Sequence, residues 1–178
     1  MENFKSNFEQ MKSHITEAIK EKRKHAITNE ELDSLGTEHE FLLKKIFDRT
    51  NSENDLVRKK EIEEELRKST LFCKNLVEFR LALESLNISE KDIQDLLQHE
   101  NAHGNKASEL GANHESYNLT FLIDQEGRES FQPQVGIFIP DEWDKDRQKD
   151  VMKKIILAPE GQDNPLSAGD KRQLEQYD

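Results

Sequence analysis

The sequence predicts a mainly α-helical protein with one β-hairpin, an α+β fold in which a helical bundle carrying an HExxH helix is followed by the hairpin and C-terminal helices. Three observations lead there. Apolar residues recur at spacings of three and four through the first 110 residues, the spacing of one face of an α-helix. Helix-start signatures, in which Ser or Thr is followed three residues later by an acidic residue, recur ahead of those stretches. Between residues 117 and 139 the period switches to two, which is strand periodicity.

The elements follow in chain order. Phe4, Phe8, Met11, Ile15 and Ala18 form one stripe of a first amphipathic helix. Thr28 with Glu31 makes a capping box ahead of Leu32, Leu35, Leu42 and Ile46. Ser52 with Asp55 opens a third helix, predicted to be long, because Ile62, Leu66, Ser69, Cys73, Leu76, Phe79, Leu83 and Leu86 hold one stripe before Asn87 interrupts it. Ser89 with Asp92 caps a fourth, which ends at Leu110 with Gly111 in the position past a helix end where glycine is favoured. Helices joined by short polar turns suggest a bundle.

Beyond Gly111, Tyr117, Leu119, Phe121 and Ile123 alternate with mostly polar residues. A turn at Gln125-Glu126-Gly127-Arg128 leads to Val135, Ile137 and Ile139, giving a hairpin. Pro133 lacks an amide hydrogen and confines the second strand to an edge or to a bulge at its start. A helix carrying Trp143, Val151, Met152, Ile155 and Ile156 stops near Pro159, and Ser167 with Asp170 caps a short closing helix. The expected organisation is an N-terminal helical arm or hairpin over residues 1–50 and an HExxH-containing α+β region over residues 51–178, forming one compact domain with the arm.

Composition limits the partners. Apolar residues make up 33% of the chain and charged residues 35%, so the core is lean and the helices amphipathic. A net charge of −11 argues against a nucleic-acid backbone or an anionic lipid surface as partner; the basic run from Lys20 to His25 is short and interrupted by Glu21. No apolar run approaches the roughly 18 residues that span a bilayer, and the N-terminus shows no basic stretch leading into an apolar one, so the expected location is the cytoplasm. Cys73 is the single cysteine, which excludes an intramolecular disulfide and a cysteine zinc site; its place in an apolar stripe reads as a buried thiol.

The fourth helix carries the string His99-Glu100-Asn101-Ala102-His103. Two histidines four apart project from one helix face about a turn apart, so both imidazoles can hold one ion while the intervening glutamate reaches a water on it. On a wheel turning about 100° per residue, His99, Glu100 and His103 fall within the apolar stripe of Ile93, Leu96, Leu97, Ala107 and Leu110. A carboxylate and two imidazoles turned towards a core would each cost several kcal/mol without partners, and one cation would satisfy all three.

In this string and its helix the chain resembles the zincin metallopeptidases, over little more than residues 93–111. The longer run HENAHGNKASELG is also similar to a motif of small bacterial proteins, a likeness that carries no function with it. The zincin resemblance implies Zn²⁺ as cofactor, His99 and His103 as ligands, Glu100 as the base that activates the water, and a peptide or protein as substrate. Zinc lowers the pKa of its water to near 7 and polarises the carbonyl under attack.

The chain departs from the metzincin string HExxHxxGxxH, placing Lys106 where the glycine belongs and Glu109 where the last histidine belongs. In an unbroken helix Glu109 lies about 120° from His103, so it ligates only if the helix breaks at Gly104. His114 is the favoured third ligand, since residues 112–114 can fold back along the helix after Gly111; Glu109 and Glu115 come next, and Glu142 or Asp146 would be a gluzincin-like answer. The strands also follow the HExxH helix, whereas zincins place most of theirs before it. His39 is turned inwards between Leu35 and Leu42, as a core histidine or as a residue reaching the metal site. The alternative to a hydrolase is a non-catalytic helical interaction protein or one that a metal merely stabilises. A di-iron bundle would need a second Glu-x-x-His, and the chain has none.

Overall fold

The computed structural model describes residues 2–162, 164–175 and 177, with side chains from residue 7 onward except 162; the side chain of Phe4 lies outside the described residues. The elements are α1 (Glu2–Arg23), α2 (Asn29–Phe47), α3 (Glu53–Ser69), β1 (Thr70–Cys73), α4 (Leu76–Glu84), α5 (Glu90–Glu109), β2 (Asn113–Ile123), β3 (Glu129–Phe138), α6 (Lys145–Ile156), a short 3₁₀ turn at Glu160–Gln162, and α7 (Ala168–Glu175). The protein is mainly helical with a small antiparallel sheet, ordered β1-β2-β3. No helix among the described residues is long and apolar enough to cross a membrane.

Two compact units divide the chain, the first from residues 1–71 and 119–132, the second from residues 72–118 and 133–178. The division falls elsewhere than the expected one near residue 50. In the first unit α3 packs on α2, and the two are tied by a two-pronged pair from Arg58 Nε and Nη2 to Glu38, 2.8 Å each, and by Lys45 to Asp55 at 2.6 Å. Both predicted capping boxes are complete, with each cap hydroxyl accepting the amide three residues on and the acidic side chain accepting the cap amide. Of the predicted α1 stripe, Ile15 is buried and Ala18 half-buried, whereas Phe8 and Met11 are exposed; Ile19, beside the stripe, is buried as well.

The predicted long third helix is instead two helices separated by a strand. The run Thr70-Leu71-Phe72-Cys73 is β-branched, aromatic and apolar, a composition that favours an extended chain. Thr70 ends α3 with its hydroxyl on the Leu66 carbonyl at 2.7 Å and pairs with the Thr120 hydroxyl at 3.0 Å. Asn75 then starts α4 by accepting the Glu78 amide at 3.0 Å. The apolar stripe misled because Cys73, Phe79 and Leu83 are buried all the same, from a strand and a separate helix.

The second unit holds α4 to α7. Ala107 and Ala112 pack with Val151 and Ile155, and Ile137, Trp143 and Met152 cover that cluster. Helix α5 runs unbroken through Gly104 and ends as expected: Gly111 has φ +82°, its amide bonds the Ser108 carbonyl, and the Ala112 amide bonds that of Ala107. This double bond reverses the chain, so that β2 returns beside α5 and the Tyr117 hydroxyl reaches Asn101 Oδ1 at 3.4 Å. Strand β3 is a sheet edge, which accommodates Pro133.

Candidate metal centre

His99, Glu100 and His103 are 7%, 4% and 7% exposed, so the inward direction read from the wheel is the one the fold adopts. The two imidazoles meet through their Nε2 atoms, 3.3 Å apart. Asp170 of α7 joins them, with Oδ2 at 3.0 Å from His99 Nε2 and Oδ1 at 3.3 Å from His103 Nε2. Among the described residues, His99, His103 and Asp170 are the group that could hold a metal ion.

The other ring nitrogens are oriented. His103 Nδ1 lies 2.8 Å from the Ile155 carbonyl in the last turn of α6, and His99 Nδ1 lies 3.4 Å from Asn164 Oδ1. A carbonyl oxygen only accepts, so each Nδ1 carries the hydrogen and, in the neutral ring, each Nε2 presents a lone pair. Two lone pairs aimed at one spot need a proton or a cation between them. Tetrahedral zinc with bonds of about 2.0–2.1 Å separates its ligand atoms by about 3.3 Å, which matches the spacing of the two nitrogens. Two imidazoles and one carboxylate are donors of the kind that zinc accepts, and His99, His103 and Asp170 would be the residues to hold it.

Asp170 is held from behind. It is the third residue of α7, and its Oδ2 accepts the Ser167 amide at 2.8 Å and the Ser167 hydroxyl at 2.7 Å. Burial would push this carboxyl up, but the bonds from His103, His99 and Ser167 outweigh it and hold the group well below the usual carboxylate range. The Asp170 bond raises His99; burial pulls His103 down, yet Asp170 and the Ile155 carbonyl leave it raised as well.

Glu100 is different. Burial pushes its carboxyl up to about 7, the charges of His103 and His99 hold it back in part, and the charge of Asp170 adds to the rise. No hydrogen bond satisfies the carboxylate among the described residues. Tyr117, raised first by burial, also feels the Glu100 charge. A buried carboxyl raised by its surroundings is the kind of group that general acid–base chemistry uses.

His114 lies elsewhere. Its ring packs on Tyr117, centroids 4.4 Å apart, and against Gly104, with Nε2 buried and unpartnered among the described residues. The chain does fold back along α5 after Gly111, but the group that meets the histidine pair is Asp170. Glu109 is exposed and paired with Lys106 at 2.6 Å, its direction set by the unbroken helix. Glu115, Glu142 and Asp146 are also exposed. His39 pairs with Glu63 at 3.2 Å in the first unit. Sequence reasoning marked Asp170 as a helix cap and missed its place beside the histidine pair, because a residue 67 positions beyond His103 leaves no spacing signal. Asn164 stood in a loop with no signal at all.

Comparison with known proteins gives no match: no family model, no curated protein and no solved structure aligns with the chain.

Proposed function

We propose that the chain is a zinc-dependent hydrolase acting on peptide bonds, with His99, His103 and Asp170 holding the ion and Glu100 serving as general base. The observation that carries this reading is the convergence of two oriented Nε2 atoms, 3.3 Å apart, on one carboxylate. When bound, zinc would polarise a carbonyl and acidify a water. The chain's own residues supply the rest. Asn164 and the Ile155 carbonyl fix the tautomers of the ring pair, and Ser167 aims Asp170. Glu100, buried beside the histidine pair and without a hydrogen bond among the described residues, takes a proton from water and returns it to the leaving amine.

A second reading is a non-catalytic clasp in which protons hold α7 to α5. It is favoured by the crowding at Asp170 Oδ2, which already faces His99 Nε2 and both Ser167 donors. One experiment separates them. Elemental analysis of the purified protein should find one zinc per chain, and Glu100→Gln should keep it while cleavage of a broad peptide library falls by about 10²–10⁴-fold. A wild-type chain that takes up no zinc leaves the clasp, and one that takes up zinc but cleaves nothing overturns the hydrolase reading.

A further inference from the structure

Most of the large apolar side chains that are exposed among the described residues belong to α1, α2 and α3, and six of them, Phe8, Met11, Leu43, Phe47, Leu56 and Val57, are each 37–52% exposed. Helix geometry gathers these six at one end of the three helices. Lys22 Nζ bonds the Arg67 carbonyl at 2.6 Å, so α1 packs on α3 with their last turns side by side and the two run parallel. Each residue advances both helices by about 1.5 Å, so counting back equally, from 22 to 11 and from 67 to 56, sets Met11 level with Leu56. Helix α2 runs the other way along α3, because Lys45 pairs with Asp55 and His39 with Glu63, and this brings Leu43 and Phe47 to the same level. The buried Ile15, Ile19 and Ile62 lie further along, towards the other end.

We propose that this end of α1, α2 and α3 is a self-association surface, on which a second copy of the chain seats the same end about a two-fold axis. The size of the patch fits that partner. At about 150–200 Å² for a wholly exposed large side chain, the six leave on the order of 400–500 Å² of apolar surface open. One side of a standard interface covers about 800 Å², of which about 65% is apolar between identical chains. Charge points to the same partner. With a net charge of −11, two copies repel over most of their surface. At this end the signs balance: Lys12, Lys44 and Arg49 stand against Glu9 and Glu53, all exposed and without an ion pair among the described residues. A two-fold axis here sets the cations of one copy against the carboxylates of the other. The proposal is independent of the metal reading, since its residues all belong to the first unit.

Sedimentation equilibrium of the full chain, carried up to about 100 μM, tests it. The wild type is expected to weigh as two chains at the upper concentration. Phe47→Glu combined with Leu56→Glu should raise the dissociation constant at least about tenfold, with the helical circular dichroism unchanged because both side chains are exposed. A wild type that stays monomeric at about 100 μM overturns the proposal, and so does a dimer that the double variant leaves intact. Should the variant fail to fold, amine cross-linking of mixed light and heavy wild-type chains decides. Links between copies are expected at Lys12 and Lys44, and a dimer linked only through lysines elsewhere overturns the proposal.

Discussion

Both units carry exposed ion pairs, and they differ in the charge that the second one buries. The first keeps its ions at or near the surface: Arg58 and Glu38 pair with side chains 42% and 41% exposed, Lys59 shares Glu63 with His39, and Lys45 with Asp55 is the more covered pair at 29% and 15%. The second buries His99, Glu100 and His103 to 7% exposure or less. Surface pairs contribute about 0–1 kcal/mol each and are easily exchanged, so the α2–α3 pairs report good helix chemistry and nothing about activity. Buried ionisable groups are costly unless partnered. Asp170 and both Nδ1 atoms have partners, whereas Glu100 has no hydrogen bond among the described residues. The contrast teaches that the informative charge is the one whose cost the fold leaves uncompensated.

The largest expected effect is on Glu100 itself, in the metal-free chain. A carboxyl raised from 4.5 to about 7 in the fold destabilises it as follows: the cost is absent below the unfolded value, grows as pH rises towards 7, and stays constant above. Glu100→Gln should therefore be more stable than wild type at pH 8 by on the order of 3 kcal/mol, with the gain vanishing near pH 4. Urea melts at both pH values measure it. A loss of stability at pH 8 would mean that the carboxylate is a structural staple, and the contrast between the units would collapse.

Asn164→Ala comes next. It removes the acceptor from His99 Nδ1 and should weaken zinc binding by about tenfold, the usual cost of a lost outer partner, while the fold holds; competition with a coloured chelator reads it. An unchanged affinity would show that the 3.4 Å contact orients nothing. The smallest effect belongs to the first unit. Arg58→Ala should cost less than about 1 kcal/mol and leave zinc uptake untouched, and a larger loss would make the surface pairs structural after all.

Much of this arrangement was legible in the residues. The boxes at Thr28 and Ser52, the cap at Ser89, the end at Gly111 and the hairpin turn before Arg128 all depend on contacts a few residues apart, which local chemistry specifies. The direction of His99 and His103 followed from helical period alone. What stayed hidden depends on long-range pairing. Residues 70–73 carried a helical stripe and became a strand because Thr70 met Thr120, fifty residues away. Asp170 was visible as a cap, yet its approach to His99 is set by how α6 ends and the loop after it turns, which no window of sequence contains.

The reversal at Gly111 sets a rule for the spacing of the second unit. Five residues separate that glycine from Tyr117, whose ring stacks on Phe79 and whose hydroxyl meets Asn101. Successive strand side chains point to opposite faces, so inserting one residue there would present Ser116 where the phenol stands and turn the aromatic ring outward. Two inserted residues would restore the phase. The stretch from 112 to 116 can thus change length by even steps only, and kindred chains should honour that parity even where their letters differ.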